Sequence, residues 1–122
     1  LLDRAIADVA REHDVSLHCH GGFGRPPKPM DAKALALFEL VQRCGAELGL
    51  PIGWRDTGGV CDGNNIAACG VPVVDTMGAR GGSIHSDAEF LLTDSLAERA
   101  QLSALALLRI AQGQYKREGM IA

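Results

Sequence analysis

A run of glycines and prolines over residues 21–29, GGFGRPPKP, constrains this sequence more than any other feature. Pro26 and Pro27 favour extended backbone, offer no amide donor and stop a helix that reaches them. A helix or strand is therefore not expected to continue across the run. We predict a boundary here, between a short N-terminal part and a longer C-terminal part of the 122-residue chain.

The part before the run is predicted to contain one helix and one strand. Apolar residues at helical spacing indicate a helix over residues 2–13, and residues 15–20 favour a short strand. The strand would place His18 and His20 on one face, a spacing that can chelate a metal ion. We favour partly exposed strand residues instead, because no third ligand lies nearby in the sequence.

Helices and short strands alternate after the run. Asp31 is predicted to cap a helix that Gly49 ends. Strands are predicted over residues 51–56 and 71–77, with a short helix over residues 65–69 between them. This alternation predicts an α/β fold in which helices cover a layer of strands.

The last helix has a start signal and a stop signal. It is predicted to begin at Ser95, because Glu98 three residues later completes a capping box. Gly113 is predicted to end it, and the tail after Tyr115 is predicted to fray.

Composition excludes several classes of protein. Hydrophobic residues make up 47% of the chain and charged residues 22%, which is typical of a folded domain. The net charge is −3 with no basic block, so a nucleic-acid partner is not expected. No apolar run approaches the roughly 20 residues that span a bilayer, so no membrane partner is expected. The four cysteines form no C-x-x-C pair, and we expect reduced thiols in a cytoplasmic protein.

Two glycine pairs follow predicted strands directly. They are Gly58–Gly59 and Gly81–Gly82. In α/β sheets, ligands bind beyond the carboxyl ends of strands, so both loops are expected at one edge of the sheet. Their backbone N–H groups could face a substrate carboxylate or an oxyanion. The alternative is that these glycines serve turns that need a positive φ.

His85 is the first candidate for chemistry, in the segment GGSIHSDAEF. A histidine that binds metal through one ring nitrogen usually donates from the other to a carboxylate or carbonyl. Asp87 and Glu89 are close enough in sequence to accept that hydrogen bond. The alternative is a loop histidine that bonds only to its neighbours.

Cys61 is the second candidate, because it lies where a loop enters a short helix. A helix N-terminus lowers a thiol pKa, but a nucleophile also needs a base, and no histidine is placed beside it. Packing is the favoured role. Arg25, Arg55 and Arg80 could pair with a substrate carboxylate, although a solvated surface position is the default for each.

Residues 57–100 carry TGGVCDGNN, GVPVVDTM, GARGG and HSDAEF in that order. This segment resembles the dizinc family of glutamate carboxypeptidase, acetylornithine deacetylase, succinyl-diaminopimelate desuccinylase and aminoacylase. RPPKP, residues 25–29, resembles the return of that family's chain from its lid to its catalytic domain. The main departure is Cys61, where most members carry Ser or Thr.

The resemblance implies an α/β, zinc-exopeptidase-like catalytic domain preceded by an α+β lid. Residues 1–25 would end the lid, which often forms a homodimer, and residues 26–122 would close the catalytic domain. His85 would bind one of two zinc ions, with Glu89 supporting it. The two glycine pairs would contact the substrate.

The function implied is cleavage of an amide bond in an N-acyl amino acid or a small peptide. The family's other metal ligands and its general base have no counterpart in this chain, so the isolated chain is expected to be inactive and not to retain zinc. The remainder of the catalytic domain would be its partner. Two alternatives stay open: a non-catalytic binding or assembly module, and a thiol hydrolase that uses Cys61.

Overall fold

The computed structural model of the chain describes residues 1–115, which form four helices and a two-stranded sheet. The predicted fraying after Tyr115 lies outside these residues. In chain order the elements are α1 (Leu2–His13), α2 (Ala32–Glu47), α3 (Asp62–Ala68), β1 (Gly81–Gly82), β2 (Phe90–Leu91) and α4 (Asp94–Ala111). None of the described helices is long and apolar enough to cross a bilayer.

Helix α1 confirms the predicted helix over residues 2–13. It ends at Asp14, whose left-handed backbone (φ 49°) turns the chain so that the next amide, that of Val15, donates to the Ala10 carbonyl at 3.1 Å. None of its residues is buried, and it packs against no other helix or strand within residues 1–115. Its apolar stripe, which includes Leu2 and Val9, is left exposed to solvent.

The core lies between α2 and α4. The Asp31 carboxylate accepts a hydrogen bond from the Ala34 amide at 2.8 Å, and Gly49 adopts a left-handed conformation (φ 72°), so both predicted ends of α2 are confirmed. The two helices bury one cluster, made up of Leu40, Val41, Cys44, Leu102 and Ala106. Burial raises the pKa of the Cys44 thiol above its ordinary value, which marks this cysteine as a packing residue.

Gly45 lets the segment after α2 fold back onto the helix. A Cβ at this position would overlap the Ile52 side chain and lie 2.9 Å from the Leu50 carbonyl oxygen. Glycine inside a helix costs about 0.5–1 kcal/mol relative to alanine. Here it allows Leu50 and Ile52 to pack against the core cluster, and Gln42 donates to the Ile52 carbonyl at 3.1 Å.

The three predicted strands, over residues 15–20, 51–56 and 71–77, do not form. A strand is defined by hydrogen bonds to a neighbour, and none of the three segments has a neighbouring strand in the described part of the chain. The sheet that does form is antiparallel, with Gly81 opposite Leu91 and Gly82 opposite Phe90. The predicted α/β layer and its relation to zinc exopeptidases stay predictions.

The two other helices begin earlier than predicted. Helix α3 begins at Asp62 rather than residue 65, because the Asn64 side chain accepts a hydrogen bond from the Cys61 amide at 3.1 Å and closes the first turn. Helix α4 begins at Asp94.

The capping box predicted at the start of α4 is wrong. Ser95 lies inside the first turn, and its hydroxyl donates to the Leu92 carbonyl and accepts from the Arg80 amide. Glu98 pairs with Arg80 instead of capping the helix. Gly113, with φ 76°, confirms the predicted end of α4.

Candidate functional site

His85 lies at the tip of an antiparallel hairpin formed by residues 80–92, which we call the His85 hairpin. Its two strands lie so close together that the positions facing Phe90 have no room for a side chain. A Cβ on Gly81 would overlap the Phe90 carbonyl oxygen, and a Cβ on Gly82 would lie 2.8 Å from the Phe90 ring. Neither glycine has a positive φ, so close approach, rather than turn conformation, explains this pair.

Hydrogen bonds between residues close in sequence stabilise the tip of the hairpin. The Ser86 hydroxyl donates to the Ser83 carbonyl at 2.7 Å, and the Glu89 amide donates to the Ser86 carbonyl at 3.0 Å. Ser83 and His85 both have positive φ, at 54° and 66°. Such a backbone is unfavourable for residues other than glycine and persists where neighbouring contacts hold it.

Glu89 contacts His85 through the main chain. Its carboxylate accepts the His85 backbone N–H at 3.3 Å, and the structure shows no hydrogen bond to the imidazole within residues 1–115. The side chain of His85 is exposed, as is that of Asp87. The Glu89 carboxylate therefore contacts the His85 backbone instead of the ring, and the support of a metal-binding imidazole by Glu89 stays a prediction.

A complete zinc site is not present in the described chain. Residues 1–115 contain no group of three or more His, Cys, Asp or Glu side chains placed to hold a metal ion. His18 and His20 are both exposed and belong to no strand. His85 can offer one imidazole nitrogen, which fits one position of a tetrahedral zinc site, and the remaining ligands would have to come from outside these residues.

The other glycine pair, Gly58–Gly59, is not in the sheet. Nothing lies within 4 Å of a Cβ at Gly58, and only the Thr57 hydroxyl, at 3.9 Å, lies near one at Gly59. Both are exposed, and neither has a positive φ. Among the described residues only Gly81–Gly82 lie in a sheet, so the expectation that both glycine loops flank one sheet edge stays a prediction.

Cys61 belongs to a second polar cluster, which sequence reasoning did not find. Its thiol donates to the Asp75 carboxylate at 3.2 Å, and the Lys28 ammonium lies 3.2 Å from the same oxygen. Partial burial alone would raise the pKa of Asp75, but the hydrogen bonds from Cys61 and Lys28 and the charge of Lys28 lower it below its ordinary value. No histidine hydrogen-bonds to Cys61 among residues 1–115, so the base that a thiol nucleophile needs is not beside it.

This cluster attaches the proline-rich run to α3. The Asn64 side chain donates to the Pro26 carbonyl at 3.0 Å, and Arg25 pairs with Asp62 at 3.0 Å. The signal that could have found the cluster is the aspartate at the end of VPVVD, a charged residue that follows an apolar run. Its spatial neighbours are distant in sequence and have no local signature.

Two of the three candidate arginines already have partners. Arg25 pairs with Asp62 at 3.0 Å, and Arg80 pairs with Glu98 at 3.1 Å. Arg55 is exposed. A cavity of about 310 Å³ lies between residues 26–29, the start of α2 and residues 70–73, and none of the predicted site residues lines it.

Comparison with family models, with curated proteins and with solved structures finds no match to this chain.

Proposed function

We propose that this chain is the C-terminal part of a zinc-dependent amidohydrolase, to which His85 contributes one metal ligand. One observation carries the proposal. The His85 hairpin fixes the backbone of its tip through Ser86 and Glu89, yet leaves the imidazole exposed and outside the hydrogen-bond network of residues 1–115. A histidine held by its main chain, with its ring uncommitted, is suited to bind a ligand.

The chemistry follows from the family that the motifs resemble. A bound zinc ion lowers the pKa of its water to about 7 and polarises the carbonyl of an amide. His85 would hold one of two ions, and Glu89 would fix the His85 backbone. The glycine pairs would approach the substrate, an N-acyl amino acid or a small peptide. We assign the general base and the other ligands to protein outside this chain.

The exposed apolar side chains of α4 are evidence that another domain packs against this helix. Leu96, Leu107 and Leu108 are each more than half exposed, although they lie on the helix that builds the core. Large exposed apolar patches mark interaction surfaces. We propose that the remainder of the catalytic domain covers this surface and supplies strand neighbours to residues 51–56 and 71–77.

Two further observations bear on the role of the N-terminal part and on the cellular compartment. The exposed apolar stripe of α1 fits the end of a lid that forms a homodimer. All four cysteines are free, which fits a reducing compartment such as the cytoplasm.

The test replaces His85 by alanine in the full-length protein. Zinc content and hydrolysis of N-acyl amino acids should both fall, the rate by orders of magnitude, because a methyl group cannot bind zinc and the other ligands cannot fill the position. His20→Ala, at another exposed histidine, is the matched control and should change neither. Circular dichroism should be the same for all three proteins. A folded His85→Ala protein with normal zinc and normal rate would contradict the proposal and favour a non-catalytic module.

A further inference from the structure

Ser95 closes the base of the His85 hairpin. Its side chain is fully buried, at 0% exposure. The hydroxyl accepts the Arg80 amide at 2.8 Å and donates to the Leu92 carbonyl at 2.6 Å. Arg80 and Leu92 are also joined directly, by a hydrogen bond of 2.8 Å from the Leu92 amide to the Arg80 carbonyl. One hydroxyl therefore contacts the first and last residues of the hairpin.

The same residue connects the hairpin to the core. Ser95 lies in the first turn of α4, two turns before Leu102, which is 1% exposed and packs against α2. This packing fixes the position of α4. Because Ser95 belongs to α4 and bonds to both ends of the hairpin, it fixes the hairpin relative to the core. Only a hydroxyl is both donor and acceptor in so small a volume. Alanine would leave the Arg80 amide without this partner, and losing a buried hydrogen bond costs far more than losing an exposed one.

We propose that Ser95 is the positioning residue of the His85 site: it sets where the imidazole stands relative to the core without touching metal or substrate. The inference depends on the proposed role of His85 as a ligand. It predicts that Ser95→Ala loosens the hairpin and weakens zinc binding while the α2–α4 core stays intact.

The first measurement is hydrogen exchange by mass spectrometry on peptides that cover residues 80–92, in the zinc-free full-length protein. Ser95→Ala should speed exchange there about tenfold, the effect of one buried hydrogen bond on a local opening. Exchange in peptides from α2 should be unchanged. Ser103→Ala, a serine of the same helix, is the matched control and should leave residues 80–92 as in the wild type, whereas Ser95→Thr should restore most of the protection because it keeps the hydroxyl.

If Ser95→Ala does not fold, the same hydrogen bond can be removed at its donor, the Arg80 amide. Arg80→Pro removes the N–H that donates to the Ser95 hydroxyl. Arg80→Ala keeps that N–H and removes only the ion pair with Glu98. Faster exchange of residues 81–92 in Arg80→Pro than in Arg80→Ala supports the inference. Equal exchange in the two variants overturns it.

The second measurement is zinc affinity by competition with a chelator. Ser95→Ala should bind zinc about tenfold more weakly, in the range seen when residues that orient metal ligands are replaced. Ser95→Thr should recover most of this loss. If His85→Ala loses zinc but Ser95→Ala keeps normal affinity and normal exchange, Ser95 is not a positioning residue and the proposed function stands. If His85→Ala keeps its zinc, the proposed function itself fails.

Discussion

Helix α1 and the α2–α4 pair show what an amphipathic pattern does and does not determine. Of these helices, α1 separates its apolar and polar residues most sharply, yet none of its residues is buried in the described part of the chain. Helices α2 and α4 have weaker patterns, yet they hold between them the buried cluster found within residues 1–115. The spacing of apolar residues therefore shows that a helical face is ready for burial. It does not show what covers that face.

The two regions also differ in the contacts that stabilise them. The contacts that stabilise α1 are local, such as the exposed Arg11–Asp8 pair, which is worth only a few tenths of a kcal/mol. The α2–α4 pair depends on side chains that are distant in sequence, such as Leu40 and Leu102. Substitutions in the two regions should thus differ in their effect on global stability.

The largest expected effect is in the core. Leu102→Ala should lower the free energy of unfolding by about 2–5 kcal/mol, because it leaves a cavity between α2 and α4. Val9→Ala, on the exposed stripe of α1, should change it by less than about 0.5 kcal/mol. Urea unfolding monitored by circular dichroism measures both. Similar losses in the two variants would mean that α1 is part of the core, and the comparison would fail.

A glycine inside α2 and a glycine of the run over residues 21–29 give the next largest contrast. Gly45→Ala should cost about 1–3 kcal/mol, because the new methyl group meets Ile52 and the Leu50 carbonyl oxygen. Gly22→Ala should change stability by less than about 0.5 kcal/mol, since nothing lies within 4 Å of a Cβ there. Thermal unfolding of the two variants beside the wild type gives the difference. A neutral Gly45→Ala would show that residues 50–52 are not packed against α2.

The contact between Lys28 and Asp75 should give a smaller, pH-dependent effect. Because the pKa of Asp75 in the folded chain lies below its ordinary value of about 3.9, the charged carboxylate stabilises the fold. That stabilisation is complete above the ordinary pKa and is lost as the pH falls through the lower folded-state value. Asp75→Asn should therefore cost about 0.5–1 kcal/mol at pH 7 and nothing once the wild-type carboxyl is protonated. A cost that does not change with pH would rule out this electrostatic role.

Cys61→Ser should give the smallest effect. A serine hydroxyl can still donate to Asp75, so stability and hydrolysis by the full-length protein should stay close to wild type. Cys61→Ala, which removes the donor, should cost about 1 kcal/mol of stability. The pair separates a hydrogen-bonding role from a catalytic one: abolished hydrolysis in a folded Cys61→Ser protein would support the thiol hydrolase.

The helices could be predicted from the sequence because their signals are local. Asp31 and Gly49 mark the ends of α2 within a few residues of the helix itself, and the apolar spacing of residues 2–13 is complete within α1. Whether residues 71–77 pair as a strand cannot be predicted from local signals. Its β-branched residues favour extended backbone, but strand formation depends on a neighbour that no local pattern specifies.

Part of the candidate site also depends on local signals. The segment GGSIHSDAEF points to His85 and Glu89, and the Glu89 carboxylate accepts the His85 backbone N–H; the role of His85 as a metal ligand stays a prediction. The role of Ser95 was mistaken, because its partners Arg80 and Leu92 lie outside the helix that it was expected to cap. The close approach of Phe90 to Gly81 and Gly82 depends on the register of the hairpin, which the glycines alone do not reveal.

The most direct test of His85 as a metal ligand is anomalous diffraction at the zinc edge from crystals of the full-length protein. We expect a zinc peak about 2.0–2.1 Å from an imidazole nitrogen of His85. The exposed His18 and His20 in the N-terminal part serve as an internal comparison, and no such peak is expected between them. Zinc bound elsewhere, with His85 making no contact to it, would contradict the role of His85 as a metal ligand.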